Sequence, residues 1–188
     1  MALYFAGFLA QFEHNHVQVE RLASDLIELS TRQNFATWLS AGSIFRGWAR
    51  SASGDIADSI TRIEHGIRDF RVTGAMLTVQ YFLALKAEAL HRANRTSEAL
   101  EAVREADRLA ARTEERWWNA ELHRLRSVFL AALAADDAQI EASFCEAIST
   151  AKEQKSVSLE RRAEASYAEY RRQRAAGSGR CGFRIPLL

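Results

Sequence analysis

Residues Trp117 to Tyr170 read WWNAELHRLRSVFLAALAADDAQIEASFCEAISTAKEQKSVSLERRAEASYAEY, with neither Pro nor Gly inside. Apolar residues recur through this stretch at helical spacing, which gives two complete amphipathic helices and the start of a third. The rest of the chain has the same texture. One Pro and nine Gly in 188 residues leave few breakers, and the dominant Ala, Leu, Glu and Arg lose little rotamer freedom in a helix. An all-α chain follows.

Working outward from that stretch, a spacing emerges. Gly7 is followed 19 residues later by Leu26, Gly47 by Gly66, Ala87 by Ala106 and Val128 by Ala147, so that successive units step by 40, 40 and 41 residues. Three positions before the second anchor stand Ala23, Ile63, Val103 and Phe144; seven before it stand Val19, Ser59, Ala99 and Ile140. Small or apolar residues in register at this period are the signature of stacked helix pairs. Two helices approach to about 8–9 Å only where a small side chain lies at the crossing. Gly7, Gly47, Ala87, Gly66, Ala106 and Ala147 are placed to serve there.

The 19-residue separation of small positions resembles that within tetratricopeptide repeats, where a small residue of the first helix packs on an alanine of the second. Family repeats run about 34 residues, and the additional residues here fall between one pair and the next. The expected fold is an all-α, right-handed superhelix of antiparallel helix pairs. It would occupy residues 1–174 as about four and a half pairs, with 175–188 as a disordered or loosely docked tail. Helices are expected over Ala2–Glu13, Val17–Gln33, Ala36–Ala52, Ile56–Val72, Ala75–Ala93, Ser97–Arg112, Trp117–Ala134, Ala138–Gln154 and Val157–Arg174. Ser53-Gly54-Asp55, Thr73-Gly74, Asn94-Arg95-Thr96 and Asp136-Asp137 mark the turns between them.

Bulk properties exclude several classes of function. A formal charge of +1 gives no field to gather nucleic acid or anionic lipid. The last residues differ, because from Arg161 onward seven Arg face only Glu164 and Glu169, a local excess of +5; a solvated helix face and tail is the expected reading, ahead of an acidic partner. Cys145 and Cys181 are the only cysteines and suit free thiols in a reducing, cytoplasmic setting. The opening MALYFAGFLAQF is too short to span a bilayer and lacks the basic start of a signal peptide. Neither a membrane nor a nucleic acid is expected as a partner.

Gly47-Trp48-Ala49, the Gly66 to Leu77 segment GIRDFRVTGAML, Glu121-Leu-His-Arg-Leu-Arg126, and the Ala147 to Ala168 segment AISTAKEQKSVSLERRAEASYA resemble a second, narrower group. These strings are similar to the C-terminal helical arrays of bacterial proteins that join a class III nucleotide cyclase, or a transcription-regulator domain, to a signal-transduction ATPase. The resemblance covers most of residues 35–170. It implies a regulatory or protein-binding array of a multidomain signalling protein, with the catalytic parts elsewhere. Because the pattern starts in mid-array and stops near Arg174, a fragment of a longer protein is expected. No G-x-x-x-x-G-K-[ST] loop occurs in the chain to cradle a triphosphate.

Candidate chemistry is sparse. His14 and His16 are two apart, whereas His65, His91 and His123 fall on different helices, and no H-E-x-x-H or Cys-x-x-Cys spacing occurs. No metal, cofactor or catalytic residue is expected. Glu121 and Arg124 are i, i+3 neighbours able to pair on the surface, with His123 pointing elsewhere; a polar network fixing one pair on the next is the reading weighed against a ligand face.

In arrays resembling tetratricopeptide repeats the first helix of each pair lines a concave, peptide-binding face. That register places Phe8, Trp48, Tyr81, Glu88, His91, Arg92 and Phe129 there, together with Tyr4, Ile44 and Leu125, although the aromatics serve equally as core between repeats. The expected partner is a protein or peptide, including other domains of the same full-length protein. Homo-oligomerisation through apolar faces at both array ends is the alternative, and a small effector in the groove the third.

Overall fold

The computed structural model describes residues 1–177 and 183–187, the side chain of Ala57 excepted. Among the described residues the regular structure is all helix: α1 (Ala2–Phe12), α2 (His16–Arg32), α3 (Ala36–Ala52), α4 (Ile56–Val72), α5 (Val79–Arg92), α6 (Thr96–Thr113), α7 (Asn119–Ala132), α8 (Asp137–Glu153) and α9 (Val157–Ala175). None of these helices is long and apolar enough to cross a membrane. Cys145 is a free, exposed cysteine, whereas Cys181, also read as a free thiol, lies outside the described residues.

Left-handed residues recur along the backbone at a regular interval. Left-handed residues stand at His14, Asn34, Gly54, Gly74, Asn94, Glu114, Ala134 and Lys155, one every 20 residues until a final step of 21. Each lies at the C-terminal end of a helix, where a left-handed residue turns the chain and brings later amides back to orphan carbonyls. Asn15 N–H reaches Ala10 O, Phe35 N–H reaches Ser30 O, Ala135 N–H reaches Leu130 O and Ser156 N–H reaches Ala151 O, all at 2.9–3.0 Å. Only two of these eight positions carry the glycine that the conformation favours, at Gly54 and Gly74.

Two helix starts differ from the sequence expectation by more than one residue. The fifth helix begins at Val79 rather than Ala75, because Thr78 takes a left-handed φ of 69° and Val79 N–H closes a separate turn onto Met76 O. The seventh begins at Asn119 rather than Trp117, after a similar turn in which Asn119 N–H bonds Arg116 O. The two starts are one 40-residue step apart.

The described residues form two compact units, Met1–Asn94 and Arg95–Leu188. In the first, each of α1 to α4 packs on the next, and α3 also packs on α1 and α5. The odd helices therefore make one layer and α2 with α4 the other. Its core centres on Phe45, Trp48, Tyr81 and Phe82, all fully buried. Gly47 and Gly66 sit where the sequence places helix crossings, and a Cβ at either would stand 2.7 Å or 2.6 Å from an isoleucine Cγ1, of Ile63 and Ile44 respectively. Gly42, which the repeat register does not single out, is nearly as tight, with Ile27 Cγ1 at 2.9 Å.

In the second unit α6 to α9 pack in succession, and α7 also meets α9. Phe129, Phe144 and Tyr170 are fully buried there. The Tyr170 hydroxyl donates to Asp137 Oδ1 at 2.6 Å, and burial together with this bond raises its pKa. Residues 183–187 lie against this unit. Phe183 and Ile185 are buried, Phe183 N–H donates to Ala131 O at 3.2 Å, and the Phe183 ring meets Tyr170 edge-on at 4.7 Å. The Gln173 side chain also pairs with the Arg184 backbone through both its oxygen and its nitrogen.

Candidate functional site

The residues expected on one partner-binding face divide between the two units and differ in depth. Trp48, Tyr81 and Glu88 in the first unit and Phe129 in the second are buried to 1% exposure or less. Phe8, His91 and Arg92 remain half-buried. The Tyr81 ring packs on Phe8, tilted by 35° at 4.3 Å between ring centres, and its hydroxyl donates to Gln11 Oε1 at 2.7 Å, so it is core. Tyr4, Ile44 and Leu125 are also buried. The aromatic register that suggested a groove is therefore filled by the protein's own helices.

Three of the expected residues do converge. Trp48 Nε1 donates to Glu88 Oε2 at 2.8 Å, and Arg92 Nη2 donates to the same oxygen at 3.2 Å. Arg92 Nη1 reaches Ser51 Oγ at 3.1 Å, while its guanidinium carbon stands 5.3 Å from the Trp48 ring centre. A planar guanidinium over an indole combines cation–π attraction with the charge-assisted bonds at its edge. Helical spacing accounts for the geometry: Glu88 and Arg92 are i, i+4 on α5, and Trp48 and Ser51 are i, i+3 on α3.

His14 and His16, read from sequence only as unlikely metal ligands, border this cluster. The His16 ring lies 4.7 Å and the His14 ring 5.8 Å from Trp48. His14 is the left-handed residue after α1, and His16 opens α2 under the Asn15 cap, whose Oδ1 accepts from Gln18 N–H. His16 Nδ1 is buried without a hydrogen-bond partner among the described residues. Burial, and then the Arg92 charge, hold the His16 imidazole below its ordinary pKa against the opposing pull of Glu88; the same causes in the same order lower His91. A signal for this neighbourhood was present in the 40-residue register, which sets the end of α3 one repeat beyond the end of α1.

The second unit holds a more enclosed network. Arg124 donates to Glu121 through two nitrogens, at 3.0 and 2.7 Å, and to Ser166 Oγ at 3.0 Å and Leu187 O at 3.3 Å. Arg162 adds a bond to Glu121 Oε1 at 3.1 Å. The sequence allowed a surface pair here. Instead the Glu121 and Arg124 side chains are 1% and 0% exposed, because this face of α7 is turned to α9 and roofed by residue 187. Burial alone would raise the Glu121 pKa, but Arg124 and Arg162 outweigh it and hold the carboxyl at about 2. His123 does point elsewhere, toward Arg126 and Glu146, and burial followed by Arg126 lowers its pKa.

These polar bonds share a dimension. Trp48 to Glu88 spans 40 residues, Ser51 to Arg92 spans 41, Glu121 to Arg162 spans 41 and Arg124 to Ser166 spans 42. Each joins alternate helices, α3 to α5 or α7 to α9. Elsewhere in the first unit an open groove of about 310 Å³ is lined by Ser43, Asp58, Thr61, Arg62, His65, Gly66 and Asp69, none of them an expected site residue. Among the described residues no three His, Cys, Asp or Glu side chains gather as metal ligands would.

Comparison with known proteins adds one relative. The chain is 25% identical over 160 residues to an uncharacterised protein of Rhizobium meliloti (strain 1021), a match that covers 85% of this chain and 16% of that protein. Neither a family model nor a solved structure matches.

Proposed function

We propose that this chain is a non-catalytic, tetratricopeptide-like array of helix pairs that binds a protein segment, as the regulatory part of a larger signalling protein of the cyclase or ATPase-regulator kind. The observation that carries the reading is the half-exposed rim of His16, His91 and Arg92 seated on the buried Trp48–Glu88 bond. Such a rim offers directional donors on a rigid base, and it lies where α3 and α5 end. A peptide carbonyl or carboxylate is the chemistry it fits. The bonds that tie alternate helices one repeat apart favour the array. The relative, of which the match spans 16%, favours a place within a longer polypeptide.

Selection of displayed peptides on the whole protein tests the reading. Peptides enriched on the wild type are expected to lose at least about tenfold in affinity on Arg92→Ala or His16→Ala variants of unchanged helicity, in the range of a binding hot spot. Peptides that bind all three proteins equally would remove the rim as the site.

A further inference from the structure

Residues 183–187 lie on the second unit as a ligand lies on a receptor. Phe183 and Ile185 are buried to 6% and 4% exposure, whereas Arg184 and Pro186 are exposed. Such alternation belongs to an extended strand. Four hydrogen bonds hold the segment, and each uses its main chain. Phe183 N–H donates to Ala131 O at 3.2 Å and Arg184 N–H to Gln173 Oε1 at 2.9 Å. Gln173 Nε2 returns a bond to Arg184 O at 2.7 Å, and Arg124 Nη2 donates to Leu187 O at 3.3 Å. Along α7 these contacts run from Ala131 back to Arg124, so the segment is antiparallel to that helix. Seven helical residues rise about 10 Å and four extended steps cover about 13 Å, lengths that match.

We infer that the groove between α7 and α9 is a binding site for an extended segment of a partner protein, one with an aromatic and an aliphatic side chain two residues apart, and that residues 183–187 hold the partner's place. The receiving groups are set before anything docks. Arg124 is fully buried and fixed by Glu121 and Ser166, the Tyr170 ring offers Phe183 an edge-on contact at 4.7 Å, and Gln173 gives one donor and one acceptor to a single residue. Main-chain bonds of this kind accept any sequence, and apolar seats at alternate positions choose among sequences. Arg124 and Arg162 outnumber Glu121, so the group that meets Arg124 must be an acceptor, as Leu187 O is. The groove runs between two helices that α8 packs against. It shares no residue with the rim of the first unit, and neither reading rests on the other.

Selection of displayed peptides on the full chain carrying Phe183→Ala/Ile185→Ala, which empties the groove while leaving the helices untouched, tests the inference. Passage over the wild type first removes peptides that bind elsewhere, the rim included. Survivors are expected to carry an aromatic and an aliphatic residue two apart. Their affinity for the emptied chain should exceed that for the wild type by at least about threefold, because the resident segment leaves only part of the wild type competent. Adding Gln173→Ala should weaken them at least about fivefold through the two lost bonds, with helicity unchanged. No survivors, survivors without the pattern, or binding indifferent to Gln173→Ala overturns the inference. So does a wild-type dimer in sedimentation velocity that Phe183→Ala/Ile185→Ala dissolves, since the occupant would then be the same segment of a second copy.

Discussion

Glu121 shows how much one side chain can carry. It accepts from Arg124 and Arg162 in a site closed to water, and removing one partner of a buried ion pair costs about 3–5 kcal/mol because the remaining charge is stranded. Glu121→Gln is expected to destabilise by that amount in urea unfolding. The double variant Glu121→Leu/Arg124→Met should lose less, since Arg162 retains 14% exposure and can turn to solvent. The carboxyl titrates at about 2 in the folded chain against an ordinary 4.5. Unfolded chains therefore take up its proton first, and the stabilisation, present above pH 4.5, fades as pH falls toward 2, a loss on the order of 3 kcal/mol. The histidines act in the same direction in a higher window. His16 and His91 are both lowered from 6.5, so below that pH the unfolded chain is protonated while the folded chain resists. Thermal midpoints should fall as pH drops below 6.5, and His16→Gln should reduce the slope.

At the scale of the element, the glycines separate those that a crossing needs from those it merely tolerates. A Cβ on Gly47 would stand 2.9 Å from Ser59 O as well as against Ile63, whereas one on Gly7 meets only the Phe45 ring at 3.6 Å, an ordinary contact. Gly47→Ala is expected to cost about 1–3 kcal/mol through overpacking, and Gly7→Ala to be neutral or to gain up to about 1 kcal/mol from helix propensity. Denaturant midpoints of the two variants check this. The contrast also marks what was legible in sequence. Helices α3 and α4 lie where periodicity and turn residues set them, and Gly47 and Gly66 fall at crossings because a 40-residue register needs small residues there. Less legible were the left-handed turns, since most of these sites are filled by His, Asn, Glu, Ala or Lys and not by glycine. The depth of Trp48 and Tyr81 was hidden for another reason: an aromatic at an inward position reads alike whether it lines a groove or fills it. The Trp48–Glu88–Arg92 cluster was half legible. Its members were chosen as one face, while Ser51, three residues from Trp48 on α3, was not singled out, and His16 comes from a helix that only folding brings near.

Each unit by itself treats its terminal helix differently: in the first, Met1, Phe5 and Leu9 of α1 are exposed, whereas in the second the exposed side of α9 is mostly polar and residues 183–187 lie against the unit. How firmly that last segment holds follows from magnitudes. Burying Phe183 and Ile185 is worth about 3–6 kcal/mol, and its four hydrogen bonds add about 2–6 kcal/mol net. Ordering the backbone of five residues costs about 5–10 kcal/mol. The terms cancel to within a few kcal/mol, so the segment opens by itself long before the helices beneath it unfold. This agrees with the poor helical pattern of the sequence there, and with a carbonyl, Leu187 O, that Arg124 uses alongside its stronger carboxylate bonds. Hydrogen exchange should find the Phe183 and Arg184 amides exchanging well before those of α7 and α9, and a chain ending at Ala175 should lose at most about 2 kcal/mol of stability, less than Glu121→Gln. Amides of 183–184 protected as strongly as those of α7 would mean that the segment is part of the core and opens only with the helices beneath it.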